Sequence, residues 1–133
     1  MARGEKMGEL LFEVSIPGRV GIKKNGRRHI GKGRNIPSSR YMKWEEQAKP
    51  YVMKAFLKFR QNLPIDGYCR AEFEFHFKNH QHECDTSNCI EGPQDLLQKL
   101  RVIGNDKSIS KLTAVKLFGD SEKVIVRLYT IEV

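Results

Sequence analysis

Between Pro17 and Lys43 the chain has no acidic residue, although it holds sixteen in all. Nine Lys or Arg occupy that gap: Arg19, Lys23, Lys24, Arg27, Arg28, Lys32, Arg34, Arg40 and Lys43. The formal net charge is +8, and outside these nine the chain sets fifteen bases against sixteen acids, a balance of −1. One segment therefore carries the whole excess. Such a stretch is a poor neutral packing surface and points to a polyanion, because each phosphate neutralised by Lys or Arg releases condensed counterion.

Long apolar runs are also missing. None approaches the roughly 20 residues that a membrane span requires. The opening MARGEKMGELLFEVSIPG lacks the apolar length and small-residue cleavage site of a secretory signal. These absences lead us to expect a cytoplasmic protein with no membrane partner. Cysteine is scarce and odd in number, three in 133 residues, so reduced thiols or metal ligands are expected in place of a disulfide framework. Repeats and low-complexity tails are absent, and the length fits one domain over residues 1–133.

The remaining pattern reads as alternating short elements. In LLFEVSIPG, Phe12, Val14 and Ile16 alternate with Glu13 and Ser15, which predicts a half-buried strand stopped by Pro17-Gly18. The basic segment, about 17–43, has Asn25-Gly26 between charged runs and reads as a long hairpin or loop. Ser38 or Ser39 can cap a following helix whose Trp44, Ala48, Val52, Ala55, Phe56 and Phe59 recur at helical spacing. Pro50 inside it predicts a kink or restart, and Trp44 is expected in the core. Ala71, Phe73, Phe75 and Phe77 alternate with polar residues in the clearest strand, whose aromatic face should lie under the helix. KLTAVKLFG and KVIVRLYTIEV flank Asp120-Ser121-Glu122 and read as a terminal hairpin. This order predicts an α+β domain with a small, mostly antiparallel or mixed sheet and two main helices.

The stretch at about 82–108 concentrates chemistry-bearing residues. His80, His82, Cys84 and Cys89 have the types for a tetrahedral zinc site, but their crowding departs from the usual spacing of paired ligands. Cys69 and Cys89 read as small buried residues. A helix over 88–102 would place Asn88, Glu91, Asp95 and Gln98 on one arc and Ile90, Pro93, Leu96, Leu97 and Leu100 opposite. Thr86 or Ser87 would cap its start and Gly104 would end it. Asp85 precedes the helix and Asp106 follows it. Clustered carboxylates suit Mg²⁺, or Mn²⁺, since hard ions prefer oxygen ligands and keep waters. A divalent ion would also reconcile acids with a phosphate recruited by the basic segment.

The run CDTSNCIEGPQDLLQKLRVIGNDKSI resembles the signature of RusA-type Holliday-junction resolvases: an Asp-x-Asp-Asn start, a helix with Asp-x-Leu, then an Asp-Asp pair before a β segment. Asp85, Asn88, Asp95-Leu96-Leu97 and Asn105-Asp106 fall on these positions. Ser87 stands where a second aspartate is usual, Asn105 where the first of the closing pair is usual, and Glu91 where a lysine often lies. The resemblance implies a dimeric RusA-like domain that resolves four-way DNA junctions by Mg²⁺-dependent paired phosphodiester hydrolysis. It implies no small-molecule cofactor.

On this reading Asp85, Glu91 and Asp106 are the metal ligands, with Asp95 and Asn88 as auxiliary catalytic groups. Lys99 or Lys107 would stand in for the missing cation, and Arg19, Lys23, Lys24, Arg27, Arg28, Lys32 and Arg34 would grip DNA. Glu91 either replaces the aspartate lost at Ser87 or leaves the site weakened. In one straight helix Asp85 and Asp106 would lie roughly 20 Å apart. Either Gly92-Pro93 breaks the helix, or the partner subunit completes the site. The alternatives are a non-catalytic nucleic-acid-binding protein of the same fold and a zinc-stabilised binding domain.

Overall fold

The computed structural model describes residues 8–22, 27–29, 35–37 and 39–131. Strand β1 (Leu10–Pro17) is followed by two short paired strands, β2 (Arg27–His29) and β3 (Asn35–Pro37), then helix α1 (Ser39–Phe59). Strand β4 (Cys69–Phe77), helix α2 (Thr86–Lys99), β5 (Ile109–Phe118) and β6 (Lys123–Thr130) complete the order. Four strands make one mixed sheet in the order β1-β6-β4-β5, with β6 antiparallel to both neighbours and β5 parallel to β4. With the two helices this is the expected α+β architecture. Among the described residues no helix is long and apolar enough to cross a membrane.

Period-two alternation decides which strand residues enter the core. Phe12, Val14 and Ile16 of β1, Ala71, Phe73, Phe75 and Phe77 of β4, and Val124, Val126 and Leu128 of β6 are all buried. They join Trp44, Ala48, Val52 and Ala55 of α1 and Cys89, Leu96 and Leu97 of α2 in one cluster. The aromatics of β4 are therefore packing groups, and Trp44 lies in the core as its spacing indicated. Pro17-Gly18 ends β1, with Gly18 at φ 97°, a conformation that glycine adopts without penalty.

Three expectations about local structure are corrected. The last two strands do not form a hairpin, because β4 lies between them. After β5 the chain crosses the end of β4, where Gly119 N donates to Phe77 O (3.0 Å) and Gly18 N donates to Glu122 O (2.9 Å). The parallel β4–β5 pair requires a crossover; α2 supplies it and leaves β5 on the edge. Helix α1 runs through Pro50 without a restart. Pro50 is exposed, while Ala48 and Val52 on either side are buried in the core. Burial of the Trp44–Ala55 stripe, at about 1.5–3 kcal/mol per large side chain, outweighs a proline cost of about 3 kcal/mol.

The third correction concerns the end of α2, which stops at Leu100 and not at Gly104. Arg101 sits at φ 64°, Arg101 N donates to Gln98 O (3.1 Å) and Val102 N donates to Leu97 O (2.9 Å). This pair of bonds around a left-handed residue is the Schellman turn. Turning here, ahead of Gly104, buries Val102 and Ile103 completely. A side chain in the left-handed region costs about 1 kcal/mol. Arg101→Gly is accordingly expected to stabilise the protein by about 1 kcal/mol and raise the Tm by a few degrees. A lower Tm in thermal denaturation would contradict the turn's assignment.

The other face of the sheet is polar and half-exposed. Arg127 on β6 donates to Glu13 on β1 (2.8 Å) and to Glu74 on β4 (2.5 Å), and His76 lies 3.0 Å from Glu74. The Arg127 hydrogen bond, followed by that of His76, holds the Glu74 carboxyl below its ordinary range. A carboxyl lowered in the folded state contributes stability above its unfolded pKa, and this is lost as pH falls through the folded value. Glu74→Gln is therefore expected to cost on the order of 1 kcal/mol at neutral pH. The gap to the parent should close in acid, as urea denaturation at a series of pH values would show.

Candidate active site

The chain leaves β4 through a turn built by Asn79, whose Oδ1 accepts from Gln81 N (2.9 Å) and His82 N (3.2 Å). Lys116 of β5 then donates to Glu83 Oε2 (2.9 Å) and to Cys84 O (3.2 Å), and His80 Nδ1 lies 3.2 Å from Glu83 Oε1. The His80 ring packs 4.1 Å from that of Phe118. Hydrogen bonds from Lys116 and then His80 hold the Glu83 carboxyl below its ordinary range. The entry to α2 is thus pinned to the end of β5.

Cys84 and Cys89 form a disulfide with their Cα atoms 6.3 Å apart. This corrects the expectation of reduced thiols and removes both thiolates from the zinc reading. The pair encloses Asp85 and Asn88, so the first turn of α2 is closed into a small covalent ring. Cys69 is free and buried, and burial pushes its thiol up to about 11. Thiol titration of the unfolded, unreduced protein should count one thiol, rising to three after reduction. A count of three before reduction would refute the bridge.

Asp85, and not Thr86 or Ser87, is the N-cap residue of α2. Its backbone oxygen accepts from Asn88 N (2.9 Å) and Cys89 N (3.0 Å), but its carboxylate makes no capping bond. Asp85 lines a cleft of about 460 Å³ with Asn88, Arg19, Arg40, His82 and Glu83. Arg40, in the first turn of α1, was counted in the basic segment but not expected at the site. The signal available was its place beside a helix start that the fold brings up to Asp85.

A second cleft, of about 430 Å³, runs along α2 and is lined by Ser87, Glu91, Gln94, Asp95, Gln98 and Asp106. The arc read from helical spacing is thus present, and Asp106 joins it from the turn before β5. Asn105 Oδ1 accepts from Lys107 N (2.7 Å), capping that turn. Glu91 Oε1 is buried without a hydrogen-bond partner. Lys99 bridges Glu45 (2.8 Å) and Asp95 (3.4 Å), and Tyr41 hydroxyl donates to Glu45 (3.1 Å). Burial first, then Glu45, Asp95 and Glu91, push the Tyr41 hydroxyl upward. Lys107 lies instead in a separate concavity with Asp66 and Tyr68.

Gly92-Pro93 does not break α2, which is continuous from Thr86 to Lys99. A Cβ at Gly92 would lie 2.9 Å from Tyr41 Cε1 and 3.1 Å from Gly21 O, so this glycine permits close helix approach. One route to uniting Asp85 with Asp106 is thereby excluded. The two line separate clefts, and among the described residues no three His, Cys, Asp or Glu are grouped to hold a metal ion. The donor set of the second cleft is nevertheless all oxygen, and the partnerless Glu91 oxygen fits a hard divalent cation that retains waters. Lys23, Lys24, Lys32 and Arg34 lie outside the described residues, while Arg27 and Arg28 fall on β2.

The mixed four-stranded sheet thus carries a crossover helix lined with carboxylates, with Arg19 and Arg40 in the cleft at its start. The family model for Endodeoxyribonuclease RusA matches residues 17–129, and the chain belongs to that family. A comparison with curated proteins finds no match.

Proposed function

We propose that this chain is a Mg²⁺-dependent endodeoxyribonuclease that resolves four-way DNA junctions by paired strand cleavage, acting in the cytoplasm as a homodimer of single-domain subunits. The observation that carries the reading is the placement of two arginines against Asp85 and Asn88 at one end of α2, with Glu91, Asp95 and Asp106 along its length. Arg19 and Arg40 bind backbone phosphate. Asn88 orients it, and Asp85 accepts a hydrogen bond from the attacking water. Glu91 and Asp106 would hold the divalent ion, which supplies Lewis-acid neutralisation of phosphate charge. Asp95, tied to Lys99, fixes the acidic arc. The basic segment extends the grip through charge.

Two-fold symmetry suits a substrate with equivalent strands. The open edge of β5 supports a dimer, since Leu112, Val115, Leu117 and Phe118 are exposed along it. Asp85 of one subunit would then work with Asp106 of the other. The rival, a non-catalytic binding protein, draws on the absence of a three-ligand group among the described residues and on Ser87 at a carboxylate position. A synthetic four-way junction with Mg²⁺ separates them. The parent should cut, while Asp85→Asn and Asp106→Asn should bind with cleavage reduced on the order of 10²-fold or more. Undiminished cutting by both variants removes the catalytic assignment, and binding in EDTA with no cleavage by the parent favours the rival.

A further inference from the structure

The first cleft contains a histidine that the roles above leave unused. His82 Nδ1 lies 3.3 Å from Glu122 Oε2, a contact across 40 residues of sequence. Glu122 belongs to the connection between β5 and β6, and its backbone oxygen accepts from Gly18 N at 2.9 Å, so the carboxylate is presented from a tied turn. An ionised glutamate only accepts hydrogen bonds, so the ring donates from Nδ1 and the neutral imidazole carries its lone pair on Nε2. Among the described residues Nε2 makes no hydrogen bond. The turn does not need this side chain, because Asn79 caps it and His80 pairs with Glu83.

We propose that His82 is the general base for phosphodiester hydrolysis in this cleft, with Glu122 as its positioning residue. The inference rests on the endonuclease reading above. It supplies what a phosphate seat alone lacks: a ring nitrogen, beside Asp85 and Asn88, that in the neutral tautomer takes a proton from water. Water oxygen bonds to phosphorus as its proton passes to Nε2, and the phosphorus bond to the leaving sugar oxygen breaks. The leaving oxygen takes a proton from solvent, and the imidazolium returns its own to water. The charged groups facing the cleft are Arg19 after β1, Arg40 on α1, and Glu83 and Asp85 before α2, while Glu122 before β6 faces the His82 ring.

The test uses the full chain, a four-way junction and Mg²⁺ under single-turnover conditions. His82→Ala should bind the junction as the parent does but cleave about 10²-fold more slowly. Imidazole and its substituted forms should restore part of the rate, with restoration rising with azole basicity. Glu122→Gln keeps an acceptor for Nδ1 and should lose less than Glu122→Ala. Full activity in His82→Ala, or a loss that no azole restores, overturns the role of His82 while leaving the endonuclease reading intact. A parent that cuts no branched DNA overturns the endonuclease reading itself, and this role with it.

Discussion

The parallel pairing of β4 with β5 is the constraint on which the site depends. Parallel neighbours cannot be joined by a tight turn, so a crossover element must leave the carboxyl end of one and return to the amino end of the other. Helix α2 is that element. Its start therefore lies beyond Phe77, level with Phe118 in the register, and its return feeds Ile109, level with Cys69. The fourteen residues of α2 span roughly 21 Å. Asp85 and Asp106 are consequently placed towards opposite ends of the crossover, and the unbroken helix preserves that separation. In α/β folds ligands gather beyond the carboxyl ends of the strands, and Asp85, Asn88 and His82 occupy such a place.

Charge is managed by local pairing at the rim and by depth within. Lys116 holds Glu83, Arg127 holds Glu13 and Glu74, and Lys99 bridges Glu45 and Asp95. The raised lysine of that last bridge owes most to its hydrogen bond with Glu45. Lys99 is thus committed at the base of the acidic arc and is poorly disposed to act as a mobile transition-state cation. Arg19 and Arg40 face the other cleft, so positive charge meets Asp85 while Glu91 and Asp106 lie along the helix. This division sets Arg19 and Arg40 in the cleft at the start of α2 and the all-oxygen lining in the cleft along its length.

Much of this was legible in the sequence where one residue pattern dictates one environment. Alternating Phe73, Phe75 and Phe77 could only be satisfied by a one-sided core, and the Asn88, Glu91, Asp95 arc follows from helical periodicity. Pairing partners were not legible. The period-two pattern of Lys111 to Phe118 says that a strand exists but not which neighbour it bonds, so a short connection to β6 was read as a hairpin. The disulfide was hidden because compartment and cysteine number speak to averages, whereas Cys84 and Cys89 are brought together by the first turn of a particular helix. Gly104 was a plausible stop by composition; burial of Val102 and Ile103 moved the turn to Arg101.

The departures from the family pattern are best judged by what each side chain does in its place. Asn105, where an acid is usual, accepts from Lys107 N and caps the turn that carries Asp106. A carboxylate there could make the same bond, but it would add a second negative charge beside Asp106. The asparagine keeps the turn and leaves Asp106 as the acid of that pair. Ser87 brings no anionic oxygen to the second cleft, whereas Glu91, one turn along, lines it and has one oxygen, Oε1, buried and without a hydrogen-bond partner. A carboxylate oxygen withdrawn from water without a hydrogen bond is costly unless something positive meets it. On the proposed reading, a cation beside Glu91 would offset that cost, which a solvated helix face would not incur.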